Sequence, residues 1–286
     1  MQEAEWVQNE YGAEVLDTKR AFSDRLKSKK VTLITVASGA WTLLCIFYLP
    51  EYLLISNLGF FIVGFPWLAL ALWAMALYSG LRTAFWKQLA LKYGWEYTAT
   101  RRVSDEKALL FTVGNSQDAS HGINGDYNGH PFYVFEYEYT IGKGDNKKTY
   151  AFTVFEVKFQ GTFPHLYLNY KGDWYSNRPS MFSSLANISV PREFENIFKL
   201  YAPKEYEIET LQIFTPDVFA LLIDSKWSHD MEFVNGELII YSNKKFTNFT
   251  NLDAELSKVK KFIDILGPLL NRLKLTQIGN ISPSLD

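Results

Sequence analysis

The sequence predicts an α+β protein in which an N-terminal two-helix transmembrane hairpin precedes a cytoplasmic domain of antiparallel β-sheet with packed helices. Three observations carry this expectation. Two charge-free apolar runs lie between Val31 and Leu81, and cations flank the pair but are missing from the loop between them. From Trp95 onward, aromatic and β-branched residues alternate between turn signals, and a helical apolar stripe follows. The expected division is residues 1–30 as an N-terminal amphipathic helix, 31–86 as the transmembrane hairpin (spans about 31–49 and 58–81), and 87–286 as the cytoplasmic α+β domain.

Taken in order, the first helix has Val7, Tyr11, Val15, Phe22 and Leu26 on one stripe, with charges elsewhere. "VTLITVASGAWTLLCIFYL", Val31 to Leu49, then runs without a charge, and at about 1.5 Å per residue it nearly spans a hydrocarbon core of about 30 Å. Pro50 and Glu51 break the run, and a second apolar stretch extends from Leu58 to Leu81, with Pro66 expected to kink it. Lys19, Arg20, Arg25, Lys27, Lys29 and Lys30 precede the first span; Arg82, Lys87, Lys92, Arg101 and Arg102 follow the second. Both termini are therefore expected in the cytoplasm, and the lipid bilayer is the first expected partner. Neither span contains Asp, Glu, Lys, Arg or His, so the pair reads as an anchor rather than an ion path. In that orientation the Asn-X-Ser/Thr matches at Asn187, Asn248 and Asn280 are chance.

The helix after the second span is expected to stop at Gly94 as its C′ residue. "WEYTAT" reads as a strand, "SDEKALLF" as a short helix capped by Ser104, and "VGNSQDASHG" as a loop. "HPFYVFEYEYTI" and "KKTYAFTVFEVKF" form a hairpin around "GKGDN", with Glu136 and Glu138 on the wet face and Phe135, Tyr137 and Tyr139 on the other. "HLYLNY" is a further strand. A loop-rich stretch leads to "FENIFKLYA" and "YEIETLQIF", and Thr215 then caps a helix with Pro216 at its first position. "DMEFVNGELIIYS" is a second hairpin turning at Asn235-Gly236. The last helix, about Leu252 to Leu275, carries Leu252, Leu256, Val259, Ile263, Leu266, Leu270 and Leu273 on one stripe; Gly267-Pro268 argues for packing on the sheet over a coiled coil.

Composition excludes several classes. A net charge of −2 supplies no field for nucleic acid, which is not an expected partner. The single cysteine, Cys45, excludes an internal disulfide and any multi-cysteine zinc site, and inside an apolar run it reads as a small hydrophobe. Walker A, GxSxG, HExxH, Rossmann and EF-hand patterns are missing, so no catalytic residue and no cofactor is expected. One polar constellation remains, "DASHGINGDYNGH", with Asp118, His121, Asp126 and His130. Mixed carboxylate and imidazole ligands suit Zn²⁺ or Mn²⁺, which makes His121, Asp126 and His130 the candidate metal ligands. The alternative is a polar hairpin punctuated by glycine. His165 and His229 read as surface or satisfied structural residues.

The order of a membrane hairpin, a helix ending "LKYGW", a strand pair after "GINGDYNGHPF", then "FENIFKLYAPKEYEIETLQIFTPDVFALLID" and "MEFVNGELIIYS" resembles the bacterial group named domain of unknown function 3137. The likeness covers most of the chain after residue 30, and the loop between the spans is shorter here than in that group. It implies an anchored cytoplasmic α+β domain and brings no active-site residues. Two functions follow from the residues: a membrane-tethered interaction or scaffold module with a protein partner or a second copy of the chain, or a membrane-associated metal-dependent enzyme using the Asp118 to His130 region.

Overall fold

The computed structural model describes residues 17–51, 57–103, 108–161, 163–172 and 185–279, with the side chains of 57 and 271–279 left aside. Val7, Tyr11, Val15, Ser104 and the side chain of Leu273 lie outside the described residues. The helices are α1 (Thr18–Leu26), α2 (Lys29–Tyr48), α3 (Asn57–Tyr93), α4 (Arg192–Glu195), α5 (Glu207–Ile213), α6 (Pro216–Asp224) and α7 (Phe249–Gly279). The strands are β1 (Glu96–Arg101), β2 (Ser116–Tyr127), β3 (His130–Ile141), β4 (Lys148–Lys158), β5 (Leu166–Tyr170), β6 (Ala186–Ile188), β7 (Phe198–Ala202), β8 (Asp230–Val234) and β9 (Glu237–Ser242). The chain falls into two compact units, one ending at Gln88 and including Thr247–Phe249, the other starting at Leu89 and taking the remainder.

In the first unit, Asp17 caps α1 by accepting from the Arg20 N–H at 3.0 Å, and the Thr18 N–H donates to the Thr247 carbonyl at 2.8 Å. α2 and α3 are long and apolar enough to cross a membrane. They are not core helices, because Leu33, Phe47, Phe60 and Phe65 are each about 70% exposed or more. Polar groups between them are matched instead. Pro66 has no N–H, so the Ile62 carbonyl loses its helical donor; the Trp41 indole N–H of α2 takes that place at 3.0 Å. Trp67 returns a bond to Thr42 Oγ1 at 2.9 Å. Trp41→Phe should therefore weaken the helix pair by about 1 kcal/mol in bilayer unfolding measurements. In a Pro66→Ala background, where an N–H again serves Ile62, it should cost almost nothing; equal costs in both backgrounds would refute the pairing.

The second unit is built on a nine-stranded antiparallel sheet of order β1-β2-β3-β4-β9-β8-β5-β7-β6. α3 ends as expected: Gly94 sits at φ 65°, its N–H reaches the Leu91 carbonyl, and the Trp95 N–H reaches Ala90 at 2.8 Å, a Schellman close. Trp95 then packs edge-on against Phe132. Both hairpin turns Asn128-Gly129 and Asn235-Gly236 have positive φ at both residues, the type I′ geometry that matches strand twist.

Two expectations are corrected here. Glu136 is not on a wet face: it is 1% exposed, and Lys245 Nζ bridges it at 3.0 Å and Glu138 at 2.9 Å. The reason is that β3 is covered on both sides. Phe135, Tyr137 and Tyr139 lie under a strap of Val103, Ala108, Leu110 and Phe111, whereas residues of the other face, such as Phe132 and Phe233, meet Trp95 and Phe214. The stretch read as a loop, "VGNSQDASHG", is in fact mostly β2, which begins at Ser116. Exposure of Ser116, Gln117 and Asp118 hides the strand pattern.

The stripe on α7 is buried within the chain, from Leu252 through Leu270. Its polar side is fastened too. Lys260 Nζ lies 3.7, 4.8 and 4.9 Å from the ring centroids of Tyr93, Trp95 and Tyr127. Asp264 accepts from Tyr127 and Asn128, and Asp253 accepts from the Tyr93 hydroxyl. Burial pushes the Glu255 carboxyl up, but His229 at 2.9 Å and Lys258 outweigh it and hold the group down to about 2.

Candidate functional site

The polar segment proposed for metal is spread along one hairpin. Asp118 is exposed on β2 opposite Glu138. Asp126 fixes the turn by accepting from the Gly129 N–H at 2.8 Å. His130 starts β3 opposite Tyr127 and packs on the Phe159 ring at 4.6 Å. His121 lies five residues from Asp126 along β2, on the order of 17 Å at about 3.4 Å per residue, too far to share an ion with it. Among the described residues no group of three His, Cys, Asp or Glu side chains is placed to hold a metal ion. His165 and His229 each face a carboxylate, Glu232 and Glu255 respectively.

His121 has a different use. It is held at φ 44°, a left-handed conformation uncommon for a side-chain-bearing residue. The β2–β3 register shifts between Ser120 and Ile123, so His121 and Gly122 together face Phe135: a β-bulge. The Tyr97 hydroxyl holds the His121 Nδ1 at 3.0 Å. Gly122 is required there, because a Cβ would sit 2.9 Å from Phe135 Cβ and 3.0 Å from the Val134 carbonyl oxygen.

Beside the bulge opens a cleft of about 220 Å³, lined by Thr98, Thr100, Arg101, Ser120, Asn124, Tyr133, Val134, Phe135 and Lys158 among others. Arg101 lies over the rings of Tyr133 at 4.5 Å and Phe135 at 4.7 Å, and pairs through Nη2 with Glu156 at 2.6 Å. Glu156 is fully buried. Burial pushes its carboxyl up, and Arg101 pulls against that. Lys158 bonds Glu237 at 2.8 Å, which raises the ammonium from its ordinary value despite partial burial. Neither Glu156 nor Glu237 is among the residues lining the cleft.

A second buried carboxylate serves the strap. Both oxygens of Glu232 accept from the Leu109 N–H, at 2.9 and 2.8 Å, and His165 Nε2 contacts one of them. Burial raises this carboxyl, with His165 and the Leu109 and Leu110 N–H groups opposing. Glu156, Ile239, Glu232 and Tyr167 form one lateral row across β4, β9, β8 and β5. Sequence reasoning missed both acids and the cleft. The available signal was a carboxylate inside "TVFEVKF" and "DMEFV", where apolar residues flank it too closely for a strand with a wet face.

No family model matches the chain, and no curated protein matches it in sequence. Among solved structures it is similar to the crystal structure of the mycobacterial trehalose monomycolate transport factor A, TtfA, at 11% identity and a TM-score of 0.48, over 65% of this chain and 96% of that one.

Proposed function

We propose that the protein is a membrane-anchored interaction module: α2 and α3 hold it in the bilayer, and the sheet unit is presented in the cytoplasm to a protein partner or a second copy of the chain. The observation that carries this is the contrast in burial. Most apolar side chains of α2, and of α3 from Leu58 to Tyr78, are exposed or only partly covered, while those of the sheet unit are enclosed on both faces. The cation bias at the outer ends of the two spans, with none in the loop, favours the cytoplasm for both termini. The resemblance to domain of unknown function 3137 supports the same arrangement.

The full chain should therefore stay with the membrane fraction after an alkaline wash. A chain of residues 89–286 should appear in the supernatant and unfold in one cooperative transition, since a core of that size does not need lipid. Release of the full chain by the wash would overturn the anchor.

A further inference from the structure

The strap over β3 runs from Ala108 to Val113 around a 3-10 turn, Leu109–Thr112. Its outer side meets solvent at Thr112, while Phe111 turns inward, edge-on to Tyr137 at 4.9 Å and stacked on Phe135 at 6.3 Å. Gln117 Nε2 holds the Phe111 and Val113 carbonyls at 2.6 and 3.1 Å. Below the strap lies Glu232, fully buried, which accepts from the Leu109 N–H through both oxygens and from the Leu110 N–H. His165 Nε2 meets Oε1 of the same carboxyl. With 31% of its side chain exposed, His165 links the buried acid to solvent.

An imidazole and a carboxyl in contact titrate as a pair. While the pair holds one acidic proton, on either partner, the buried site carries no net charge. Loss of that proton leaves a buried carboxylate that His165 no longer balances, at a cost to whatever covers it. Imidazoles exchange their proton between about pH 5 and 8. The other ionisable groups that face the site do not supply a replacement cation. Asp230, two residues earlier on β8, is itself an acid, held by the Tyr167 hydroxyl at 2.9 Å and the Tyr170 N–H at 2.6 Å. Tyr167 on β5 and Ile239 on β9 stand opposite Glu232; Glu156, beyond Ile239, pairs with Arg101. Residues 108–113 of the strap have no titratable side chain. We infer that His165 and Glu232 form a proton-operated latch: the strap stays seated while the pair keeps its proton and loosens when the pair loses it, uncovering the Phe135 and Tyr137 rings. The sign agrees with burial, which raises the Glu232 carboxyl above its ordinary 4.5: the proton is held more tightly in the closed form, and that stabilisation is complete below 4.5 and lost as pH rises through the folded-state value. The latch involves residues of the sheet unit alone and stands whether or not the anchor reading does.

The test is amide hydrogen exchange of the full chain in lipid nanodiscs, read by mass spectrometry from about pH 5.5 to about pH 8.5 and corrected for intrinsic exchange rates. Peptides covering Ala108–Val113 should lose protection by roughly tenfold or more as pH rises, while peptides from β4 keep theirs. Glu232→Gln keeps an acceptor for Leu109 and carries no charge, so its strap should stay protected at every pH. His165→Gln keeps a donor to the carboxylate but not the exchangeable charge, so the loss should move to lower pH. Protection of the strap that is flat with pH in the parent overturns the latch, as does an equal pH response in Glu232→Gln. Should that buried variant fail to fold, an unshifted midpoint in His165→Gln, at a partly exposed position, overturns it as well.

Discussion

Ile263→Asp should unfold the sheet unit or cost it about 4 kcal/mol or more, read from chemical denaturation followed by tryptophan fluorescence. Ile263 is 2% exposed, on the α7 stripe with Val259 and Leu266. Aspartate there removes a packed side chain and buries a carboxylate among apolar neighbours, two of the mechanisms behind the largest single-site losses. Ile265 supplies the control. It is two residues away and 38% exposed, so Ile265→Asp should stay within about 0.5 kcal/mol of the parent. Similar losses at both positions would mean that α7 is not docked by this stripe.

Arg101→Ala should cost about 3–5 kcal/mol at neutral pH, because it strands Glu156 as a buried charge without its partner. The pH dependence gives the mechanism away. The Glu156 carboxyl is raised from its ordinary 4.5 chiefly by burial, and Arg101 is the main group pulling it back down. Removing Arg101 raises it further. A carboxyl raised on folding binds its proton more tightly in the folded state, so its stabilising contribution is complete below 4.5 and is lost as pH rises through the folded-state value. The deficit of the variant against the parent, compared at each pH, should therefore be full near pH 8 and shrink as pH falls toward 4.5. Adding Glu156→Gln should recover much of the loss, since a neutral amide is cheaper to bury. A deficit that is flat with pH and untouched by Glu156→Gln would assign the effect to lost stacking on Tyr133 and Phe135 instead.

The parts of the fold legible in the sequence are those set by local chemistry. Gly94 as a helix stop, Pro216 at a first helical position, Asn235-Gly236 as a turn and the α7 stripe each need only a few neighbouring residues, and the structure shows all of them. What stayed hidden depends on tertiary cover. Whether Glu136 is wet or buried is decided by what lies over β3, and alternation along a strand carries no record of a second layer. The bulge was hidden for a related reason. "ASHGIN" offers a glycine, but only the register against Phe135 makes His121 the left-handed residue and opens the cleft at Arg101. The histidines and aspartates drew attention as possible ligands because they are close in sequence, and an extended strand is the geometry that most separates such neighbours.

The most direct measurement is the sidedness of two single cysteines, introduced after Cys45→Ala, toward a membrane-impermeant maleimide on intact cells. One replaces Ser56, which lies between the two apolar runs in sequence; the other replaces Asp145, in the exposed turn between β3 and β4. An anchored module with its sheet unit in the cytoplasm predicts labelling at position 56 in intact cells and at position 145 only after permeabilisation. Labelling at position 145 in intact cells, with position 56 protected, would contradict it.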